Sequence, residues 1–290
     1  MSGVIAAALV AHVPTLSRPE ITPDFQQTLV DGERAMGRDL RSGTPELWVI
    51  ASTHWVSTFN WFATLHSTHE GLCIADEAPD LIPGIPYRYR GDPEFAQTLV
   101  DTWQQDGIPA AVNASPHYAW DYGTFVPLSH LDPTAEVAVV SIPVVAMADH
   151  AECMRAGALI HATAQRLGRR TVFLASTALT HALVRGRHLM PSPERIAADR
   201  SFIDLLQRGA VNEAIAHFGE YNAIAVAEMG GRVLATLLGV LRAMQDGGGP
   251  LRGTAYGTYA QSSGSGNANM LFQSMNEMTQ PSVRMPQKQG

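Results

Sequence analysis

Short runs of Val, Ile, Leu and Ala alternate along this chain with longer stretches whose apolar residues recur every three or four positions. The runs at 3–11, 46–53 (ELWVIAST), 60–66, 136–143 (EVAVVSIP) and 171–176 (TVFLAS) predict strands. The longer periodic stretches, at 24–42, 93–107, 149–167, 195–208 and 222–243, predict helices. The last of these, NAIAVAEMGGRVLATLLGVLRA, is apolar around most of its circumference and is expected to be buried. EVAVVSIP and TVFLAS flank one helical stretch, the pattern of a βαβ unit. Alternation of strand and helix patterns of this kind argues for helices on both sides of a mostly parallel sheet. The expected fold class is therefore α/β: a single domain with a central, mostly parallel or mixed sheet flanked by helices on both faces.

The segment between 70 and 92, EGLCIADEAPDLIPGIPYRYRGD, breaks the pattern. Its prolines, aromatics and mixed charge predict a long loop, and long loops in compact domains are often functional. The polar, proline-containing stretch at 275–290 is expected to extend from a domain at 1–274.

Composition narrows the function classes. A net charge of −7 with no basic run argues against nucleic acid and against an anionic membrane surface as partners. No stretch is long and apolar enough for a transmembrane helix. The apolar start MSGVIAAALVA has no Lys or Arg before Arg18, so it is read as a strand, not a secretory leader. Cys73 and Cys153 lie far apart and outside any CxxC pattern, which suits a reducing compartment, and a cytoplasmic protein is expected.

Candidate chemistry enters at the ends of the strands. His12 follows IAAALVA, His54 follows LWVIAST, and His181 follows VFLASTALT. In an α/β sheet the C-terminal strand ends gather at one edge, where ligands bind. Two histidines need a third ligand to hold a catalytic metal, and a carboxylate suits iron or zinc. Glu228 is the candidate, an acid embedded in the apolar helical stretch IAVAEMGG. A buried carboxylate must be paired. Glu228 therefore either binds a cation or pairs with Arg232, one helical turn on. Nucleotide-loop, nucleophile-elbow and HExxH motifs are absent. SSGSGNANM at 262–270 lacks a phosphate-loop lysine and is read as a turn that brings backbone close to the pocket.

Taken in order, AHVP near the start, STHW at 52–55, DYGTFVPL at 121–128, LASTALTH at 174–181, AEMGG at 227–231 and SSGSGNANMLF at 262–272 resemble the class III extradiol ring-cleavage dioxygenases. This is the superfamily of protocatechuate 4,5-dioxygenase. The resemblance implies a non-haem Fe(II) held at the matching positions His12, His54 and Glu228. The substrates it implies are O2 and a small aromatic diol or aminophenol. His181 matches the acid/base histidine of that family. Many relatives carry a His-Gly pair where this chain has Tyr122-Gly123, and the tyrosine is closer to the homoprotocatechuate and 2-aminophenol branch. A phenol positions a substrate better than it deprotonates one. His117, five residues earlier, is a further candidate pocket residue. Part of the 72–92 segment is expected near the pocket mouth, with Arg88 or Arg90 meeting a substrate carboxylate or serving the surface. A homo-oligomer is expected, with or without a second kind of subunit. Two other readings remain at this point: a zinc enzyme on the same scaffold, and a non-catalytic partner subunit. Retention of His12, His54, Glu228 and His181 argues against the second.

Overall fold

In a computed structural model that describes residues 3–275, the apolar runs lie side by side because only lateral pairing satisfies their buried backbone groups. In chain order, β1 (Gly3–Val10) leads to α1 (Gln27–Ser42), β2 (Leu47–Ser57), β3 (Trp61–Thr64), β4 (Thr68–Ile74) and β5 (Pro83–Arg90). Then come α2 (Pro93–Gln105), β6 (Ala110–Asn113), α3 (Tyr122–Leu131), β7 (Ala138–Val145), α4 (His150–Leu167) and β8 (Arg170–Ser176). The chain continues through α5 (Pro193–Gln207), α6 (Val211–Ala216), α7 (Phe218–Ala225), α8 (Arg232–Gly248), β9 (Leu251–Ala255), β10 (Ala260–Ser262), β11 (Ser265–Asn267) and β12 (Met270–Ser274).

Six of the strands form one sheet in the order β7-β2-β8-β1-β12-β9. The first four run parallel, and β12 and β9 add antiparallel pairs at one side, so the sheet is mixed. β7, α4 and β8 do form the expected unit, but β2 inserts between its two strands. Each central strand feeds both faces alternately. Leu47, Val49 and Ala51 join one apolar core with α2, α4 and α8, whereas Trp48 and Ile50 join another with α1 and α3. The α4/α8 contact is close because glycines face it. A Cβ on Gly157 would sit 2.1 Å from the Thr236 carbonyl oxygen, and one on Gly239 1.9 Å from that of Met154. None of the described helices is long and apolar enough to cross a membrane.

Two expectations change. The segment at 70–92 is mainly an antiparallel hairpin, β4 with β5, and only its tip at 75–82 is a loop. Its prolines sit where the two-stranded ribbon tolerates a missing donor. Alternation along β5 turns Tyr87 and Tyr89 inward and Arg88 and Arg90 outward. The helix expected over 222–243 is broken. α7 stops at Ala225, and Val226, Met229, Gly230 and Gly231 all take positive φ before α8 begins. The break frees Glu228 from any helical face. The tail expected at 275–290 lies, apart from Met275, outside the described residues.

Candidate metal centre

The three inner parallel strands, β2, β8 and β1, end side by side, and each contributes to one cluster. His12 stands two residues past the end of β1 and is buried. His54 lies within β2, at a register shift. Ser52 pairs with Pro143 and Val56 with Val144, so residues 53–55 bulge from the ladder and swing the imidazole off the sheet. Beyond β8, residues 177–181 are anchored by Leu179 N donating to Gly266 O and His181 N to Val226 O. Glu228 meets that segment through its own backbone N, which donates to Leu179 O.

Glu228 is 3% exposed. Its Oε2 accepts from the Ala178 amide at 2.6 Å and from Thr177 Oγ1 at 3.3 Å. Its Oε1 lies 3.4 Å from His12 Nε2, 3.5 Å from His54 Nε2 and 3.4 Å from His181 Nε2. Arg232 turns away and donates instead to the carbonyls of Ala148 and Met229. The pairing with Arg232 that the sequence left open is thus not made. Burial favours the neutral carboxyl, but the neighbouring imidazoles outweigh it and hold Glu228 well below the usual carboxylate range.

The hydrogen bonds also orient the His12 imidazole. Ser176 Oγ donates to Gly123 O at 2.5 Å, so toward His12 Nδ1, 3.1 Å away, it acts as acceptor. His12 Nδ1 therefore carries hydrogen and Nε2 presents a lone pair. His54 Nδ1 lies 3.6 Å from the Glu77 carboxylate. The two Nε2 atoms face one another at 3.2 Å, a separation that a shared proton or a cation bridges. Burial lowers the affinity of His54 for a proton, but Glu228, Asp121 and Glu77 more than compensate and raise it.

His12, His54 and Glu228 offer ligand atoms all within 4.8 Å of one another. Two imidazoles and one carboxylate are a donor set suited to Fe(II) or Zn(II). Neighbouring ligands bonded at about 2.1 Å to one ion sit about 3 Å apart at right angles. The observed separations of 3.2, 3.4 and 3.5 Å are close to that spacing. The residues fit a divalent metal.

The cluster opens into a cleft of about 330 Å³ lined also by Tyr122, His181, Glu77, Leu81, Leu183, Arg187 and Ser262. That volume is at the lower end for small-molecule sites, about 300–1,000 Å³. Tyr122 packs its ring 3.9 Å from that of His54 and hydrogen-bonds Glu77. Burial, with the negative charge of Glu77 and Glu228, raises its pKa, so the phenol stays protonated. His181 is half-buried, and burial lowers its pKa despite Glu228. The Ser/Gly-rich turn lines the cleft as expected through Ser262, Ser263, Ser265 and Asn267. The hairpin tip reaches it through Glu77 and Leu81.

Not every candidate arrives there. His117 is exposed in the turn that Tyr118 N closes on Ser115 O, and it is not among the lining residues. Arg88 pairs with Glu70 and Arg90 donates to Glu136 O, both outside the cleft. Sequence reasoning missed Ser176, Glu77 and Arg187. Ser176 carried a signal, as a polar residue closing an apolar strand beside two histidine-bearing strand ends. Replacing it with alanine removes the acceptor for His12 Nδ1–H. Metal affinity at the cluster is expected to fall about 10- to 100-fold in chelator competition. Unchanged affinity would show that the strand alone orients the imidazole.

The fold and the cluster together define an α/β protein with a candidate two-histidine, one-carboxylate metal centre at the C-terminal edge of its parallel strands. The chain belongs to the family described as the catalytic LigB subunit of aromatic ring-opening dioxygenases, whose pattern matches residues 6–272. It is accordingly an oxidoreductase of the extradiol ring-cleaving class. It is 24% identical over 188 residues to the 3,4-dihydroxyphenylacetate 2,3-dioxygenase of Escherichia coli, covering 63% of this chain and 68% of that one. It is 31% identical over 124 residues to dioxygenase tasH of Hapsidospora irregularis, covering 41% of this chain and 36% of that one. The crystal structure of the uncharacterised protein JW3007 of Escherichia coli K12 shares the fold. Its TM-score is 0.66 at 17% identity, covering 92% of this chain and 99% of that one.

Proposed function

We propose that this chain is an Fe(II)-dependent extradiol dioxygenase that opens the ring of a catechol or 2-aminophenol with O2. One observation carries the reading. His12 Nε2, His54 Nε2 and Glu228 Oε1 converge at the wall of a cleft that also holds His181 and Tyr122. When bound there by His12, His54 and Glu228, Fe(II) supplies open positions for a chelating diol and for O2, and a path for electrons between them.

The chain's own residues supply the proton steps. A diol chelates only after losing a hydroxyl proton, and His181, kept neutral by burial, is the base at hand. The same imidazole returns that proton when the O–O bond breaks. Tyr122 stays protonated and so acts as a hydrogen-bond donor that orients the ring, its own position set by His54 and Glu77. The carbon–carbon bond that breaks lies between a carbon bearing oxygen or nitrogen and its unsubstituted neighbour. Both oxygen atoms end in the product, so no external reductant is required.

The test is anaerobic Fe(II) loading followed by an O2-electrode panel of catechols and 2-aminophenols, with Zn(II)-loaded protein as comparator. Uptake of one O2 per substrate, with a yellow ring-opened product from the iron form alone, is the expected result. Iron-loaded protein that consumes no O2 with any member of the panel rules the reading out.

A further inference from the structure

We propose that Asp199, a buried carboxylate outside the metal centre, is a positioning residue that holds the His181 imidazole in its place in the cleft. The inference rests on the proton role given above to His181 in ring opening.

Asp199 lies on α5 and is fully buried. Its carboxylate collects donors from three other parts of the chain. Oδ2 accepts from Tyr259 OH at 2.6 Å and from the Thr180 amide at 3.3 Å, and Oδ1 accepts from Tyr221 OH at 3.1 Å. Burial pushes its pKa up to about 6 against those donors, which leaves it mostly ionised at neutral pH. The close approach requires a residue without a side chain alongside. A Cβ on Gly266 would sit 2.5 Å from Asp199 Oδ2 and 1.8 Å from Tyr259 OH.

The anchor acts on Thr180, the residue before His181. The Thr180 N–H donates to Asp199, its Oγ1 donates to Ala225 O at 2.7 Å, and its carbonyl accepts from Gly266 N at 2.9 Å. The peptide groups on both sides of Thr180 are thereby oriented, and His181 starts from the second of them. His181 itself lies beyond the end of β8. Its stretch is paired through isolated bridges, Thr180 with Ala227 and His181 with Ser265, rather than through a continuous ladder. The direction of the imidazole therefore depends on these tethers. A group that moves a proton must stand within about 3 Å of the atom it serves. Drift of this segment costs rate even where the metal ligands stay in place. Those ligands have other supports: Ser176 for His12, the β2 bulge for His54, and the Ala178 amide for Glu228.

The test is Asp199→Asn, which keeps the shape and loses the charge that makes the three hydrogen bonds strong. With the preferred catechol, kcat is expected to fall about 10- to 100-fold, the cost of about 1 Å of misplacement, while KM and iron content stay within about twofold of wild type. In a His181→Ala background the same change should cost less than about twofold, because residues that act through one group are not additive. In the metal-free protein, backbone hydrogen exchange at 179–182 should quicken about tenfold or more while β1 and β2 stay protected. Tyr259→Phe, which keeps the ring and removes one donor, should show the same pattern at smaller size, and it decides the matter if Asp199→Asn does not fold. An unchanged kcat, an equal loss in both backgrounds, a parallel loss of iron, or exchange quickened throughout the sheet overturns the positioning role. The two readings fail separately. Iron-loaded wild-type protein that opens no ring counts against ring opening, while exchange in the metal-free proteins still decides whether Asp199 holds the His181 segment.

Discussion

Glu228→Ala is expected to purify with less than about a tenth of the wild-type iron content after identical Fe(II) loading, while remaining folded. Removing one ligand costs more than the 10- to 100-fold typical of an outer-shell partner. What remains is a pair of imidazoles, His12 and His54, with no carboxylate ligand to balance a divalent charge. The fold should survive because Glu228 makes no structural ion pair with an arginine: its partners are the three imidazoles, Thr177 Oγ1 and the Ala178 amide. Thermal melts with and without Fe(II) give a second readout. A ligand that binds only the folded state at a hundred times its Kd adds about 2.7 kcal/mol, or about 5 °C in a protein of this size. Wild-type protein should show that shift and Glu228→Ala should not. Retained iron stoichiometry, or a retained metal-dependent shift, would place the carboxylate ligand elsewhere.

The residues on which that experiment turns were legible in the sequence because each punctuates an apolar run. A strand buried on both faces has no reason to carry an imidazole until it emerges from the sheet. His12 and His181 mark such points on β1 and β8. His54 marks a different event, the bulge at 53–55 inside β2, which a hydrophobic pattern does not distinguish from a strand end. Glu228 was legible as a buried acid in need of a partner, but its setting was not. The apolar residues of 222–243 are buried on both sides of the break, so their pattern runs on through it, and only Gly230-Gly231 hints at the turn. The hairpin at 68–90 was hidden by the opposite effect. A two-stranded ribbon with one wet face carries prolines, arginines and exposed apolar residues that read as loop. Ser176 and Glu77 sit at the site through contacts with residues distant in sequence, Ser176 with His12 and Glu77 with His54. No local spacing encodes such a contact.

His181→Ala separates holding the metal from using it. His181 Nε2 lies as near to Glu228 Oε1 as His12 does, at 3.4 Å, yet it is not part of the compact donor triad of His12, His54 and Glu228. Its side chain is partly open to the cleft, whereas His12 is buried. Truncating it to alanine removes neither a ligand of that triad nor a large packed surface. Iron content is therefore expected to match wild type. Turnover with the preferred catechol should fall about 10²- to 10⁴-fold, the usual contribution of a positioned acid or base. The loss should fall on kcat more than on KM, because the diol still reaches the same cleft and Tyr122 still orients it. Iron loss alongside the rate would make His181 a ligand. An unimpaired rate with full iron would move the proton steps to another group, and Tyr122→Phe becomes the deciding variant, since its hydroxyl belongs to a cleft-lining side chain packed against His54.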